Sequence, residues 1–141
     1  SARRAPRSLA VVIVVDASCL YEVLVDTPTA EPIRDRLSAD PDHAAPQVVD
    51  VEVFSLIRRD HLNRSLDATA ASLAVDDLRM WPGERYGHRG LLGRAWHLRD
   101  SVRGWDAMYV ALAEALDATL ITLDGRLERA KGPRCRIELI A

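Results

Sequence analysis

The run Leu9-Ala10-Val11-Val12-Ile13-Val14-Val15 constrains the fold more than any other stretch of this chain. It is rich in β-branched residues and shows no alternation of apolar and polar positions, the pattern of a strand covered on both faces. Such a strand belongs in the middle of a parallel sheet with helices on each side. Asp16 ends it abruptly. A second apolar run, Thr119-Leu120-Ile121-Thr122-Leu123, reads as another short buried strand and is stopped in the same way by Asp124-Gly125. In open α/β sheets the C-terminal ends of strands form the edge where ligands bind, so both acids stand where chemistry is expected.

The basic residues Arg3, Arg4 and Arg7 ahead of the first run imitate a signal peptide, but the apolar run is at the short limit and no small-x-small cleavage site follows. Residues 1–8 read as a disordered tail and residues 9–141 as one domain, because 141 residues at 48% apolar carry no visible repeat or linker. No stretch approaches the ~20 apolar residues of a membrane span, so a soluble, cytoplasmic protein is expected. The net charge of −2 argues against holding nucleic acid by bulk electrostatics alone. Of the 19 basic residues only Lys131 is a lysine; the rest are arginines, which grip phosphates bidentately.

Between the two strands the apolar spacing predicts helices over 17–25, 30–39, 48–59, 66–80, 91–102 and 104–116, with 40–43 a loop and a short edge strand within 84–90. The helix over 66–80 presents Ala70, Leu73, Ala74 and Leu78; that over 91–102 presents Leu92, Ala95, Trp96 and Leu98. The last helix, Gly104 to Leu116, is apolar on nearly all sides, and Asp106 lies on the stripe of Tyr109, Val110 and Ala113. An N-cap is the simplest role for an aspartate there. Glu52 is harder to explain, because it falls inside the stripe of Val49, Val53, Leu56 and Ile57. A glutamate on an apolar face is paired with a cation such as Arg58 or bound to a metal.

Asp16, Glu52, Asp106 and Asp124 therefore need a joint account. Converging carboxylates repel one another, so without a cation some would hold protons at neutral pH. Cys19 and Cys135 lack metal-site spacing, and His43, His61, His88 and His97 lack i, i+4 pairing, so all six read as packing or surface residues. Hard oxygen donors without Cys or His point to Mg²⁺ or Mn²⁺, which take phosphate oxygens as further ligands and lower the pKa of a bound water. The chemistry implied is phosphodiester hydrolysis. Arg85, His88, Arg89, Arg94, Arg99 and Arg103, ahead of Asp106, read either as a solvated helix face or as a phosphate-contacting rim. Within that rim Arg89, Arg94, Arg99 and Arg103 are the candidate contacts to a phosphate chain.

Four segments carry a resemblance: Val14-Val15-Asp16-Ala17-Ser18, Asp50-Val51-Glu52-Val53, Trp105-Asp106-Ala107-Met108-Tyr109-Val110-Ala111-Leu112-Ala113-Glu114, and Thr122-Leu123-Asp124-Gly125-Arg126-Leu127. In order and spacing they resemble the motifs of PIN-domain nucleases, and more narrowly the VapC-type toxins of bacterial toxin–antitoxin pairs, over nearly everything from Val11 to Ala141. The resemblance implies an α/β/α sandwich with a central, mainly parallel sheet flanked by helices, and a Mg²⁺- or Mn²⁺-dependent endoribonuclease. It further implies a homodimer and a cognate VapB-type antitoxin. Asp16, Glu52 and Asp106 match the acidic triad and Asp124 the fourth acid, with Ser18 and Thr122 as supporting hydroxyls. Trp105 stands where a tyrosine is common, and Gly83 where an apolar strand residue is usual.

Three other readings compete. A catalytically silent PIN-like module would keep the fold but not the turnover. A DNA-directed nuclease would share the architecture. An acid-pocket receiver or phosphatase would want a lysine partner, and Lys131 lies after the last strand the pattern shows.

Overall fold

The computed structural model describes residues 12–140 of the chain. The expected tail over 1–8, and residues 9–11 of the first apolar run, lie outside the described residues. Val12–Val15 form β1, the middle strand of a five-stranded sheet in the order β3-β2-β1-β4-β5, every neighbouring pair parallel. Ile13, Val14 and Val15 are fully buried, as a strand covered on both faces requires. The other strands are β2 (Asp42–Pro46), β3 (Glu84–Tyr86), β4 (Thr119–Thr122) and β5 (Ile137–Leu139).

Seven helices flank the sheet among the described residues: α1 (Ala17–Val25), α2 (Ala30–Ser38), α3 (Val48–Leu62), α4 (Ala68–Met80), α5 (Leu92–His97), α6 (Gly104–Leu116) and α7 (Gly125–Arg129). Helices α1 to α4 pack on one another, while α5 packs on α6 and α6 lies against β1, β2 and β4. The result is the expected α/β/α sandwich. Helix α6 buries Ala107 and every residue from Tyr109 to Ala113, and ends where Asp117 enters the left-handed region at φ 53°. None of the described helices is long and apolar enough to cross a membrane.

Four expectations are corrected. Residues 40–43 are not all loop, because Asp42 and His43 open β2; the segment has no β-branched residue, and its strand conformation is imposed by pairing with β1 and β3. Strand β5 follows Lys131, so that residue precedes the last strand; Leu120 N–H donates to Arg136 O and Ile140 N–H to Thr122 O, both at 2.9 Å. The helix over 91–102 is instead a 3₁₀ turn (Arg89–Leu91) and a short α5, which buries Leu91, Ala95 and Leu98 and leaves Leu92 and Trp96 exposed. In α4, begun by Asp67 accepting from Ala70 N–H at 2.8 Å, the buried face is Ala74 and Leu78, and Leu73 is 58% exposed.

Arg85 ties α3, the end of α4 and β3 together. Its guanidinium donates to Asp50 and to the backbone oxygens of Leu78, Trp81 and Gly83, while lying 4.9 Å from the centre of the Trp81 ring. The Trp81 ring in turn covers Gly83, where a Cβ would come within 2.2 Å of it. That contact accounts for a glycine at the entry to β3. Arg85→Ala takes the guanidinium away from Asp50 and from the Trp81 and Gly83 carbonyls, leaves Leu78 O only the Trp81 N–H, and is expected to cost about 2 kcal/mol in a denaturant titration. Arg85→Lys should recover less than half, because an ammonium cannot fork to four acceptors.

Candidate active site

The chain leaves β1 to build β2 and β3 on one side, then returns to build β4 and β5 on the other. The crevice between the ends of β1 and β4 is therefore the switch point at which such sheets bind ligands. Asp16 sits there, directly after β1 and only 7% exposed. Its backbone takes the N-cap position of α1, but its side chain does not cap the helix. The carboxylate accepts instead from Thr122 Oγ1 at 2.5 Å and from Ser18 Oγ at 3.2 Å, both on Oδ2. Thr122 Oγ1 also accepts from Asp124 N–H at 3.0 Å, so one buried hydroxyl joins the ends of β1 and β4. Asp124 caps α7, its Oδ1 accepting from Arg126 N–H at 2.9 Å.

The other two acids arrive from helices. Asp106 lies in the first turn of α6, whose N-cap is Arg103, so the simpler role of an N-cap is not the one it has. Glu52 projects from α3 and makes no ion pair with Arg58; among the described residues its hydrogen-bond partner is Tyr109, whose hydroxyl donates to Oε1 at 2.7 Å. Tyr109 was legible only as part of an apolar stripe. The available signal was its hydroxyl, since a buried tyrosine needs a partner for its O–H.

The electrostatics show that the acids share one field. Burial raises the Asp16 carboxyl above its ordinary value, against the pull of the Thr122 and Ser18 hydroxyls. Burial pushes Glu52 up to about 7; Tyr109 opposes the shift, and the charges of Asp16 and Asp106 add to it. Asp106 is pushed up to about 6 by burial and by Asp16, with Arg103 pulling the other way. Among the described residues no three Asp, Glu, His or Cys side chains close into a ready-made ion cage. The donor set is hard oxygen, the kind that Mg²⁺ or Mn²⁺ takes.

A cleft of about 640 Å³ opens over this edge, lined by Glu52, His88, Arg103, Trp105, Asp106 and Met108. A smaller hollow of about 210 Å³ continues past Asp124 and Arg126, and Arg103 and Asp106 line both. Of the four arginines expected as RNA contacts, Arg103 is the one in the cleft. Arg94 is corrected: its guanidinium is held by Glu114 at 2.6 Å and by the carbonyl of Gly132, and so is engaged in packing α5 onto α6. Arg99 lies over the Trp96 ring at 4.3 Å, and Arg89 is exposed on the 3₁₀ turn. His88, expected as a packing residue, faces the cleft while its Nε2 accepts from Val48 N–H at 3.0 Å, at the start of α3.

Comparison with known proteins agrees with this geometry. Residues 13–133 match the model of the PIN domain family. Ribonuclease VapC3 of Mycobacterium tuberculosis is 38% identical over 129 residues, covering 91% of this chain and 93% of that protein. Ribonuclease VapC12 of the same organism is 36% identical over 129 residues, covering 92% of this chain and 99% of that protein. The crystal structure of VapBC2 from Rickettsia felis bound to a DNA fragment from their promoter contains a chain that superposes with a TM-score of 0.66. It is 13% identical and covers 92% of this chain and 99% of that one, a likeness of fold.

Proposed function

The chain belongs to the PIN-domain family, and on that premise we propose that it is an endoribonuclease of the VapC toxin kind, dependent on Mg²⁺ or Mn²⁺. The observation that carries the reading is the meeting of Asp16, Glu52, Asp106 and Asp124, from four separate segments, at the switch point of the sheet. Asp16, Glu52 and Asp106 would hold the ion, directly or through water, and Asp124 would help to hold it or a second ion. A divalent ion bound there supplies the Lewis acidity that activates water and neutralises charge on the phosphoryl oxygens. The chain's own residues do the rest. Thr122 and Ser18 orient the Asp16 carboxylate through Oδ2. Tyr109 holds Oε1 of Glu52 and favours its charged form at neutral pH. Arg103, reaching both parts of the cleft, would contact the phosphate flanking the bond to be cut.

The same reading gives the chain an RNA substrate, a VapB-type antitoxin and a homodimeric assembly. Two apolar surfaces support protein contacts of this kind: Val51, Phe54 and Leu73 on α3 and α4, and Leu92 and Trp96 on α5, are all more than half exposed. The direct test is cleavage of structured RNA and of DNA by purified protein with Mg²⁺, with Mn²⁺ and with chelator. Discrete cuts in RNA that need the metal are expected; cutting of DNA alone, or cutting undiminished in chelator, would overturn the reading.

Tyr109→Phe supplies a finer check. Removing a donor that favours the Glu52 carboxylate raises the pKa of that group further. The acid limb of the kcat/KM profile should therefore move to higher pH, with a loss of roughly tenfold at pH 7, the usual effect of one hydrogen bond to a charged group. Superimposable profiles would reduce Tyr109 to a packing residue.

A further inference from the structure

We propose that the indole of Trp105 is a stacking platform for one unpaired base of the RNA beside the bond to be cut. The inference rests on the ribonuclease reading and names the form of substrate that the site accepts. Trp105 is the residue before Asp106 and lines the same cleft as Glu52, yet it is 62% exposed. Nothing in the packing of the fold calls for a tryptophan there. The other strongly exposed tryptophan, Trp96, has the Arg99 guanidinium over its ring; among the described residues Trp105 has no such cation.

The acidic floor explains why such a platform is needed. Acids gathered at the floor of a cleft repel a phosphate chain wherever a bound ion does not offset them, and the protein's net charge of −2 offers no compensating basic field. Arg103, which forms no ion pair among the described residues, is the cation of the cleft. An uncharged contact must therefore carry much of the hold on the nucleotide, and base–aromatic stacking does this with any base, since each has a π-face. Inside an A-form duplex the bases stack on one another and are not available to a side chain. The cleft thus selects a strand whose base has left the stack. His88 lines the same cleft, its ring held by Nε2 accepting from Val48 N–H.

The test uses the full chain, as wild type, Trp105→Ala and Trp105→Phe. Fluorescein-labelled 12-nucleotide RNA is presented as a single strand and, in the same sequence, locked in a hairpin stem. Binding is read by anisotropy in chelator, and cleavage with Mn²⁺. Trp105→Ala should weaken single-strand binding about 5- to 150-fold, the effect of losing one base–aromatic stack, while Trp105→Phe stays within about threefold. An abasic nucleotide beside the cut should cost the wild type a similar factor and cost Trp105→Ala nothing more, because the two changes remove the same contact. Equal binding and cleavage by wild type and Trp105→Ala, or an undiminished abasic penalty in Trp105→Ala, overturns the stacking role while leaving the nuclease intact. A wild type that neither binds nor cuts either RNA overturns the ribonuclease reading, and the proposal with it.

Discussion

Asp16→Asn should abolish metal-dependent RNA cleavage, lowering the rate on the order of 10³-fold or more, while leaving the protein folded. The two effects separate because of where Asp16 sits. Its oxygen accepts hydroxyls from Thr122 and Ser18 and links the ends of β1 and β4; the amide oxygen of asparagine can accept both. What the substitution removes is the charge. Asp16 contributes to the raised pKa of both Glu52 and Asp106, so it lies within reach of both, and a neutral residue there takes away the centre of the proposed ion site. Cleavage with Mg²⁺ and with Mn²⁺, beside a thermal melt in chelator, measures both halves. Retained cleavage by a folded Asp16→Asn protein would remove Asp16 from the chemistry.

Glu52→Gln should make the metal-free protein more stable at pH 8 and the metal-loaded protein nearly inactive. Glu52 has a folded-state pKa of about 7 against an ordinary value of 4.5. A carboxyl with a raised folded pKa stays protonated in the native state after the unfolded chain has released its proton. Its contribution to stability is complete below pH 4.5 and is lost as pH rises through 7. At pH 8 the metal-free wild type bears this penalty, roughly 2 kcal/mol after discounting for the solvent that reaches the carboxylate. Glutamine does not titrate, so the variant should gain on the wild type between about pH 4.5 and pH 7 and hold that gain above it. Asp106, raised to about 6, loses stability over an overlapping window in both proteins, and its repulsion with Glu52 is part of the penalty that the variant lacks. Urea titrations in chelator at pH 5 and pH 8 give the difference directly. Parallel pH dependence in the two proteins would show that Glu52 carries its charge at no cost. Adding Mn²⁺ should reverse the order at pH 8, since an ion that loses one of its four acids stabilises the variant less than the wild type.

The four acids and the switch point of the sheet coincide at one place in the molecule. A parallel sheet brings strand ends to a common edge, and α6 enters that edge with its first turn. The four acids are spread over more than a hundred residues of sequence, yet three of them sense one another's charge. Burial that would otherwise destabilise them is the state a divalent ion relieves.

Features that rest on local pattern were legible along the chain. The unalternated β-branched run before Asp16 could only be an inner strand, and the almost wholly apolar α6 could only be a buried helix. The acids stood out because a carboxylate in such surroundings is costly wherever the chain goes. Tertiary structure decided what depends on a distant partner. Strand β2 has little intrinsic β character and β5 is only three residues long, and both form because β1 and β4 present unpaired backbone groups to them. The orientation of α4 and the early end of α5 were set by which faces found a neighbour, and so Leu73, Leu92 and Trp96 face outward against their local pattern. Arg94 and Arg103 read alike as basic residues before α6; only the position of Glu114 held the first in packing and left the second to the cleft. Tyr109 received its role in the same way, from a glutamate on another helix 57 residues away. Hydrophobic periodicity records which residues leave water, but a hydrogen bond or an ion pair needs a partner whose position is defined only once the layers have closed.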